Sequence, residues 1–177
     1  MQELTIAGFG GQGVLFAGKV IAYAGLAAKK YVSWLPSYGP EMRGGTCNCQ
    51  VILSDESIGS PLITQSDSLI VMNKPSLLKF EDSVKSGGCI IVDSFHIDIK
   101  TKRDDVNAVY IPAQKIAEEL GYSKLGNMVM VGQYIKQTGV LPFDVVLSSL
   151  KNHISPSKAK MLESNVKALE AGYEFKG

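Results

Sequence analysis

Leu4-Thr5-Ile6-Ala7-Gly8-Phe9-Gly10-Gly11-Gln12-Gly13-Val14 is the stretch that decides the fold. A short apolar run opens it, a glycine-rich loop follows at residues 8–13, and a segment rich in alanine, valine and leucine then extends to Lys29-Lys30. That order reads as strand, tight loop and helix. The loop satisfies G-x-G-x-x-G. Glycines there permit positive φ and close backbone approach, while the free N–H groups and dipole at a helix start attract phosphate or carboxylate. Three readings stand side by side: a dinucleotide site, an anion supplied by another ligand or a partner chain, and a tight turn that packs the helix closely. The dinucleotide reading lacks its acid. The place about 20 residues on, at the end of the second strand, holds Ser33 and Trp34, and the first acid after the loop is Glu41.

Outward from this unit, residues 31–35 predict a second strand, and residues 36–45, rich in proline and glycine, predict a long loop. Residues 46–53 alternate, with Cys47, Cys49, Val51 and Leu53 against Asn48 and Gln50, as in a strand with unequal faces. Residues 68–72 and 89–93 read as buried strands, separated by a helix over 75–84 that Asn73 caps, and residues 108–111 add one more. The C-terminal third predicts helices over 114–120, 128–138, 143–150 and 157–173. For the last, Ser155 is the cap, Pro156 suits the first turn, and Leu162, Val166, Leu169 and Tyr173 share a face. The pattern predicts an α/β fold: a single three-layer α/β/α Rossmann-like domain over residues 1–177, with a largely parallel sheet and a helical C-terminal part.

A chain of 177 residues with 45% hydrophobic content can enclose a core without disulfides or metals. Its 18 basic and 17 acidic residues leave a formal charge of +1, which points to neither a nucleic-acid groove nor an anionic membrane surface. Cys47, Cys49 and Cys89 form no C-x-x-C pair, so reduced core thiols are expected, and His96 and His153 supply no metal-ligand pattern. The N-terminal residues lack the basic start and long apolar stretch of a signal peptide, and no apolar run approaches ~20 residues, so a cytoplasmic, non-membrane protein is expected.

Several linked motifs occur in order: Gly-Phe-Gly-Gly-Gln-Gly-Val at 8–14, Trp-Leu-Pro-Ser-Tyr-Gly-Pro-Glu-Met-Arg-Gly-Gly at 34–45, Ser54-Asp55, Ile58-Gly59-Ser60-Pro61 and Met-Asn-Lys-Pro-Ser-Leu at 72–77. Together they resemble the gamma subunit of 2-oxoacid:ferredoxin oxidoreductases. The form of residues 36–45 is closer to the 2-oxoglutarate and branched-chain types than to the pyruvate type. The resemblance implies a heteromeric enzyme that decarboxylates a 2-oxoacid on thiamine diphosphate, passes electrons through [4Fe–4S] clusters to ferredoxin, and transfers the acyl group to CoA. It implies alpha and beta (thiamine-binding) subunits and a ferredoxin-like delta subunit as partners, and leaves a homodimer open to the isolated chain. The chain has neither the Gly-Asp-Gly of a thiamine-binding subunit nor the cysteine runs of an iron–sulfur subunit. No cofactor is therefore expected on this chain alone, and the subunit is expected to be non-catalytic and inactive by itself.

In this resemblance the chain lines the site next to thiamine diphosphate and contributes to CoA binding. The candidate contacts are the backbone donors of Gly8, Gly10, Gly11, Gln12 and Gly13, the Gln12 amide, Ser37, Tyr38, and Arg43, whose guanidinium suits a carboxylate or phosphate and equally a salt bridge. Residues 34–42 are the candidate centre of an exposed apolar interface, with Trp34 read as a packing or interface aromatic.

Overall fold

The computed structural model describes residues 1–38, 46–153 and 159–177. Its six-stranded sheet comprises β1 (Gln2–Phe9), β2 (Tyr31–Tyr38), β3 (Thr46–Ser54), β4 (Ser66–Val71), β5 (Val84–Asp93) and β6 (Asn107–Ile111), in spatial order β2-β3-β1-β4-β5-β6. Around it lie α1 (Val14–Ala27), α2 (Lys74–Phe80), α3 (Ala113–Glu119), α4 (Gly126–Thr138), α5 (Phe143–His153) and α6 (Ala159–Glu174).

Strands β1, β4, β5 and β6 run parallel, the expected Rossmann-like half. Strand β3 pairs antiparallel with both β1 and β2. Helix α1 therefore links two parallel strands, β1 and β2, that are held apart by β3. This insertion removes the ordinary dinucleotide arrangement, because the strand beside β1 presents its N-terminal end, Thr46, at the glycine loop.

One face of the sheet packs Leu4, Ile6, Cys49, Val51, Ile70 and Ile91 against α1, α4 and α6, with Leu162, Val166, Leu169 and Tyr173 of α6 in that same core. The other face is thinner: Leu69, Val71, Ile90 and Val92 meet Leu77 of α2, Ile97 and Val84. Strands β4 and β5 are thus buried on both sides, which is why they read as continuous apolar runs while β3 alternates.

Several boundaries differ from the sequence expectation. Strand β2 continues through Pro36 to Tyr38, where Pro36 faces Cys49, because β2 is an edge strand and a missing donor costs nothing on its solvent side. The helix expected over 75–84 ends at Phe80, followed by a 3₁₀ turn at Glu81–Ser83, and β5 already begins at Val84. Glu81 marks that break: its buried carboxylate accepts from Thr101 Oγ1 at 2.6 Å and from the Lys102 N–H at 3.0 Å, which pins the turn to the segment after β5. Helix α4 begins at Gly126, two residues earlier than its apolar pattern suggests. The expected cap at Ser155 and Pro156 lies outside the described residues.

Candidate functional site

The glycine loop is a turn closed by the Gln12 N–H on the Phe9 carbonyl at 3.1 Å, with Gly11 at φ 100° where such a turn demands a positive value. Gly13, at φ 77°, is the N-cap of α1 and has no side-chain cap bond. Gly8 sits deeper: a Cβ there would lie 3.0 Å from Val14 Cγ2 and 3.1 Å from Met72 Cβ, so its absence lets β1 pass under α1. The N–H groups of Gly11, Gly13 and Val14 have no partner among the described residues, and no acid stands in the first turn of α1 to offset the dipole. The loop can therefore offer backbone donors.

Gln12 behaves differently from the expectation that its amide faces a ligand or partner. Its Oε1 accepts from the Phe9 N–H at 2.7 Å, and its Nε2 donates to the Met72 carbonyl at 2.9 Å. The side chain staples the loop to the end of β4. Asn73 sits beside it, capping α2 through Oδ1 on the Ser76 N–H at 2.8 Å, as the sequence predicts.

The sheet register brings the residues on either side of the 39–45 segment beside the glycine loop. Thr46 stands opposite Phe9, and Tyr38 stands opposite Cys47, so both ends of the 39–45 segment flank the glycine loop. Ser37, opposite Asn48, is exposed on that edge. Arg43 lies outside the described residues, as does the Tyr38 side chain. The other arginine, Arg103, is committed locally, with Nε and Nη2 on Asp105 and Nη1 on the Glu81 and Val84 carbonyls.

Trp34 packs against the core rather than standing free. Lys19 Nζ lies 5.1 Å from its ring centroid, and its buried indole nitrogen has no hydrogen-bond partner among the described residues. Burial pushes the Cys49 thiol up to about 12 and the Cys89 thiol up to about 11. Cys49 on β3 and Cys89 on β5 are separated by β1 and β4, so this donor set does not fit an iron–sulfur cluster. Among the described residues no group of three or more His, Cys, Asp or Glu side chains converges, and no helix is long and apolar enough to cross a membrane. Exposed apolar side chains line up instead on α1, at Phe16, Tyr23 and Leu26, with Tyr23 stacked on His153 at 3.9 Å.

Beyond the glycine loop, towards β4 and β5, lies a cleft of about 190 Å³ lined by Gly11, Gln12, Asp93, His96, Lys124 and Asn127, among others. It sits outside the carboxyl ends of the parallel strands, the usual place for a ligand in such sheets. Sequence reasoning missed its polar members. Asp93 and His96 pair only because β5 ends between them, and Lys124 and Asn127 arrive from a helix start far along the chain.

The model of the family described as pyruvate ferredoxin/flavodoxin oxidoreductase matches residues 3–175. Ketoisovalerate oxidoreductase subunit VorA of Methanothermobacter marburgensis is 38% identical over 176 residues, covering 98% of this chain and 36% of that protein, so the chain spans about a third of that relative's length. 2-Oxoglutarate synthase subunit KorC of the same organism is 38% identical over 181 residues, covering 98% of this chain and 96% of KorC. Among solved structures, the gamma subunit of keto/oxoacid ferredoxin oxidoreductase from Geobacter sulfurreducens superposes with a TM-score of 0.84 at 27% identity, covering 98% of this chain and 97% of that one.

Proposed function

Because the chain belongs to the pyruvate ferredoxin/flavodoxin oxidoreductase family, we propose that it is the gamma-type subunit of a heteromeric 2-oxoacid:ferredoxin oxidoreductase that converts 2-oxoglutarate to succinyl-CoA. It lines the site next to thiamine diphosphate and contributes to CoA binding there. The observation that carries this reading is the register that sets the strand residues at both ends of the 39–45 segment beside the uncapped N-terminus of α1. The near end-to-end correspondence with KorC supports the 2-oxoglutarate form. The equal identity to VorA supports a branched-chain 2-oxoacid as the second reading.

Thiamine diphosphate and the clusters belong to the alpha, beta and delta partners, and this chain supplies a donor-lined edge rather than a nucleophile or base. Alone it is inactive. Purification of the tagged chain from its native cells tests this: a thiamine-binding pair and a ferredoxin-like subunit should co-elute, and the complex should reduce ferredoxin with 2-oxoglutarate and CoA. Turnover of ketoisovalerate but not 2-oxoglutarate would replace the first substrate by the second. Elution without such partners would remove the assignment.

A further inference from the structure

Helix α1 is apolar on every side. Of its 14 residues only Lys19 is charged, a composition that belongs to a helix covered all round. Yet α1 has an outer face, on which Phe16 is 37% exposed, Tyr23 41% and Leu26 56%, with Lys19 between the first two. The positions 16, 19, 23 and 26 alternate steps of three and four, the a/d seam along which a second helix packs. The seam runs about 15 Å at 1.5 Å per residue. Helix α5 stands beside it and closes a groove of about 190 Å³ with Ser149, Leu150 and His153. His153 is held in place there, its Nδ1 lying 2.8 Å from the Ser149 carbonyl oxygen and its ring stacked on Tyr23 at 3.9 Å. An aromatic pair ordered in advance loses little freedom on being covered.

We propose that the face formed by α1 and α5 is the docking surface for a helix of a partner subunit, one whose apolar stripe carries a carboxylate for Lys19. The proposal rests on the heteromeric reading above and names the surface through which it is met. Charge selects the occupant. Neither α1 nor the groove lining holds an acid. Lys29 just past α1 and Lys151 in the last turn of α5 are basic as well, and Lys30 is already paired with Asp55 at 2.8 Å. Asp144, the one acid of α5, stands in the first turn of that helix, at the far end from His153. A second copy of this chain would bring the same cations to the contact twice with no carboxylate between them, which opposes association, whereas an acidic partner meets them with opposite sign. In VorA the region similar to this chain is 36% of one polypeptide, so a unit of this kind occurs beside a larger body of protein.

Phe16, Tyr23 and Leu26 supply the apolar area, and Lys19 supplies the register. Its ammonium rests over the Trp34 ring, 5.1 Å from the centroid, and that ring packs on the core, so the cation has less rotamer freedom to lose when a carboxylate arrives. One charge in an otherwise apolar seam fixes the alignment of two helices, because any slip leaves the ammonium covered and unpaired. The seam begins at Phe16, in the first turn after the glycine loop. A helix seated on it therefore brings the partner up to that loop.

Acetylation of lysines in the unaltered chain, alone and in the assembled complex, reads the face without any substitution. Lys19 should be labelled in the isolated chain and at least about tenfold more slowly in the complex, as a fully covered contact requires. Photocrosslinking from position 23, with Tyr23→p-benzoylphenylalanine in the co-expressed complex, should capture a helical segment of a partner subunit with Asp or Glu within one turn. Lys19→Glu should weaken association by about tenfold or more, and reversal of the captured acid to lysine should restore it in the double variant. Leu26→Asp should weaken association on the order of a hundredfold by covering an unpaired charge, while the isolated variant melts with the wild type because Leu26 is already exposed. A crosslink to a second copy of this chain, or unchanged affinity in both Lys19→Glu and Leu26→Asp, overturns the proposal. A complex that assembles with Lys19 labelled as fast as in the isolated chain overturns this inference alone. Elution without partners removes the heteromeric reading and this surface with it.

Discussion

The Asn127 amide donates from Nδ2 to the Gly13 carbonyl at 3.2 Å, which ties the first turn of α4 to the N-cap of α1 across 114 positions of sequence. Asn127→Ala should remove that tie and cost about 1 kcal/mol, the net worth of one such bond. Urea unfolding would show it as a lowered midpoint at unchanged slope. An unchanged midpoint would mean that the two helix starts are positioned by the sheet alone.

Gln12→Ala should act more locally. It strips the loop of its bonds to the Phe9 N–H and the Met72 carbonyl, both part-buried, at a cost of about 1–3 kcal/mol. Hydrogen exchange at Phe9 should quicken more than exchange across β4 and β5. Uniform acceleration throughout the sheet would show that the loop has no independent stability.

Much of this edge was legible in the sequence, and the reasons divide cleanly by residue. The strand-loop-helix unit shows because periodicity changes from apolar run to glycines to helix, and the Asn73 cap shows because Lys74-Pro75 follows it. The alternation from Cys47 to Leu53 marks a strand but not its neighbours. That β3 would enter between β1 and β2 depends on pairings with Leu4 and Val32, which no local pattern records. Pro36 hid the end of β2, since proline reads as loop unless the strand is known to lie at an edge. The Asp93–His96 pair and Asn127 were invisible because only the closed sheet brings the ends of β5 and the start of α4 together.

Helices α4 and α6 cross at glycine. A Cβ on Gly172 would collide with the Val129 carbonyl oxygen, and one on Gly132 with the Leu169 carbonyl oxygen, so neither backbone can yield cheaply. Gly172→Ala should destabilise the fold by about 1–3 kcal/mol through forced separation of the helices, although alanine is the better helix former. A rise in melting temperature, the result expected from helix propensity alone, would refute the close crossing.

Two buried thiols make stability fall in alkali. Cys49 is pushed from 9.0 to about 12 and Cys89 to about 11 in the folded chain, so above pH 9 the unfolded chain gives up these protons while the native state keeps them. The unfolded state then binds fewer protons, and unfolding free energy decreases as pH rises through that window. By pH 10 the loss should be roughly 1.4 kcal/mol per thiol. Thermal melts from pH 8 to 11 should show this decline, shallower in Cys89→Ala. The same burial predicts that iodoacetamide labels the half-buried Cys47 first, with Cys49 and Cys89 protected until denaturant is added.

Gly11→Val and Arg43→Ala bear on the proposed role of the edge in CoA use. Gly11 holds φ 100° with no atom within 4 Å of a would-be Cβ, so valine there meets no clash inside the chain. Its cost is backbone strain of about 1–2 kcal/mol, plus obstruction of the space through which a ligand or partner backbone approaches. In the proposed role Arg43 meets a CoA phosphate, and loss of one such charge-assisted contact, worth on the order of 1.5 to 3 kcal/mol, should make Arg43→Ala weaken CoA use by roughly ten- to a hundredfold. In the proposed division of labour, decarboxylation on the partner subunits needs neither residue, so the CoA-independent reduction of the complex should survive in both variants. Stopped-flow traces with and without CoA, on complexes whose assembly is verified by size exclusion, separate the two half-reactions. Wild-type CoA dependence in both assembled variants would show that this edge does not hold CoA, whereas failure of both to assemble would make it a subunit interface and leave CoA to the partners.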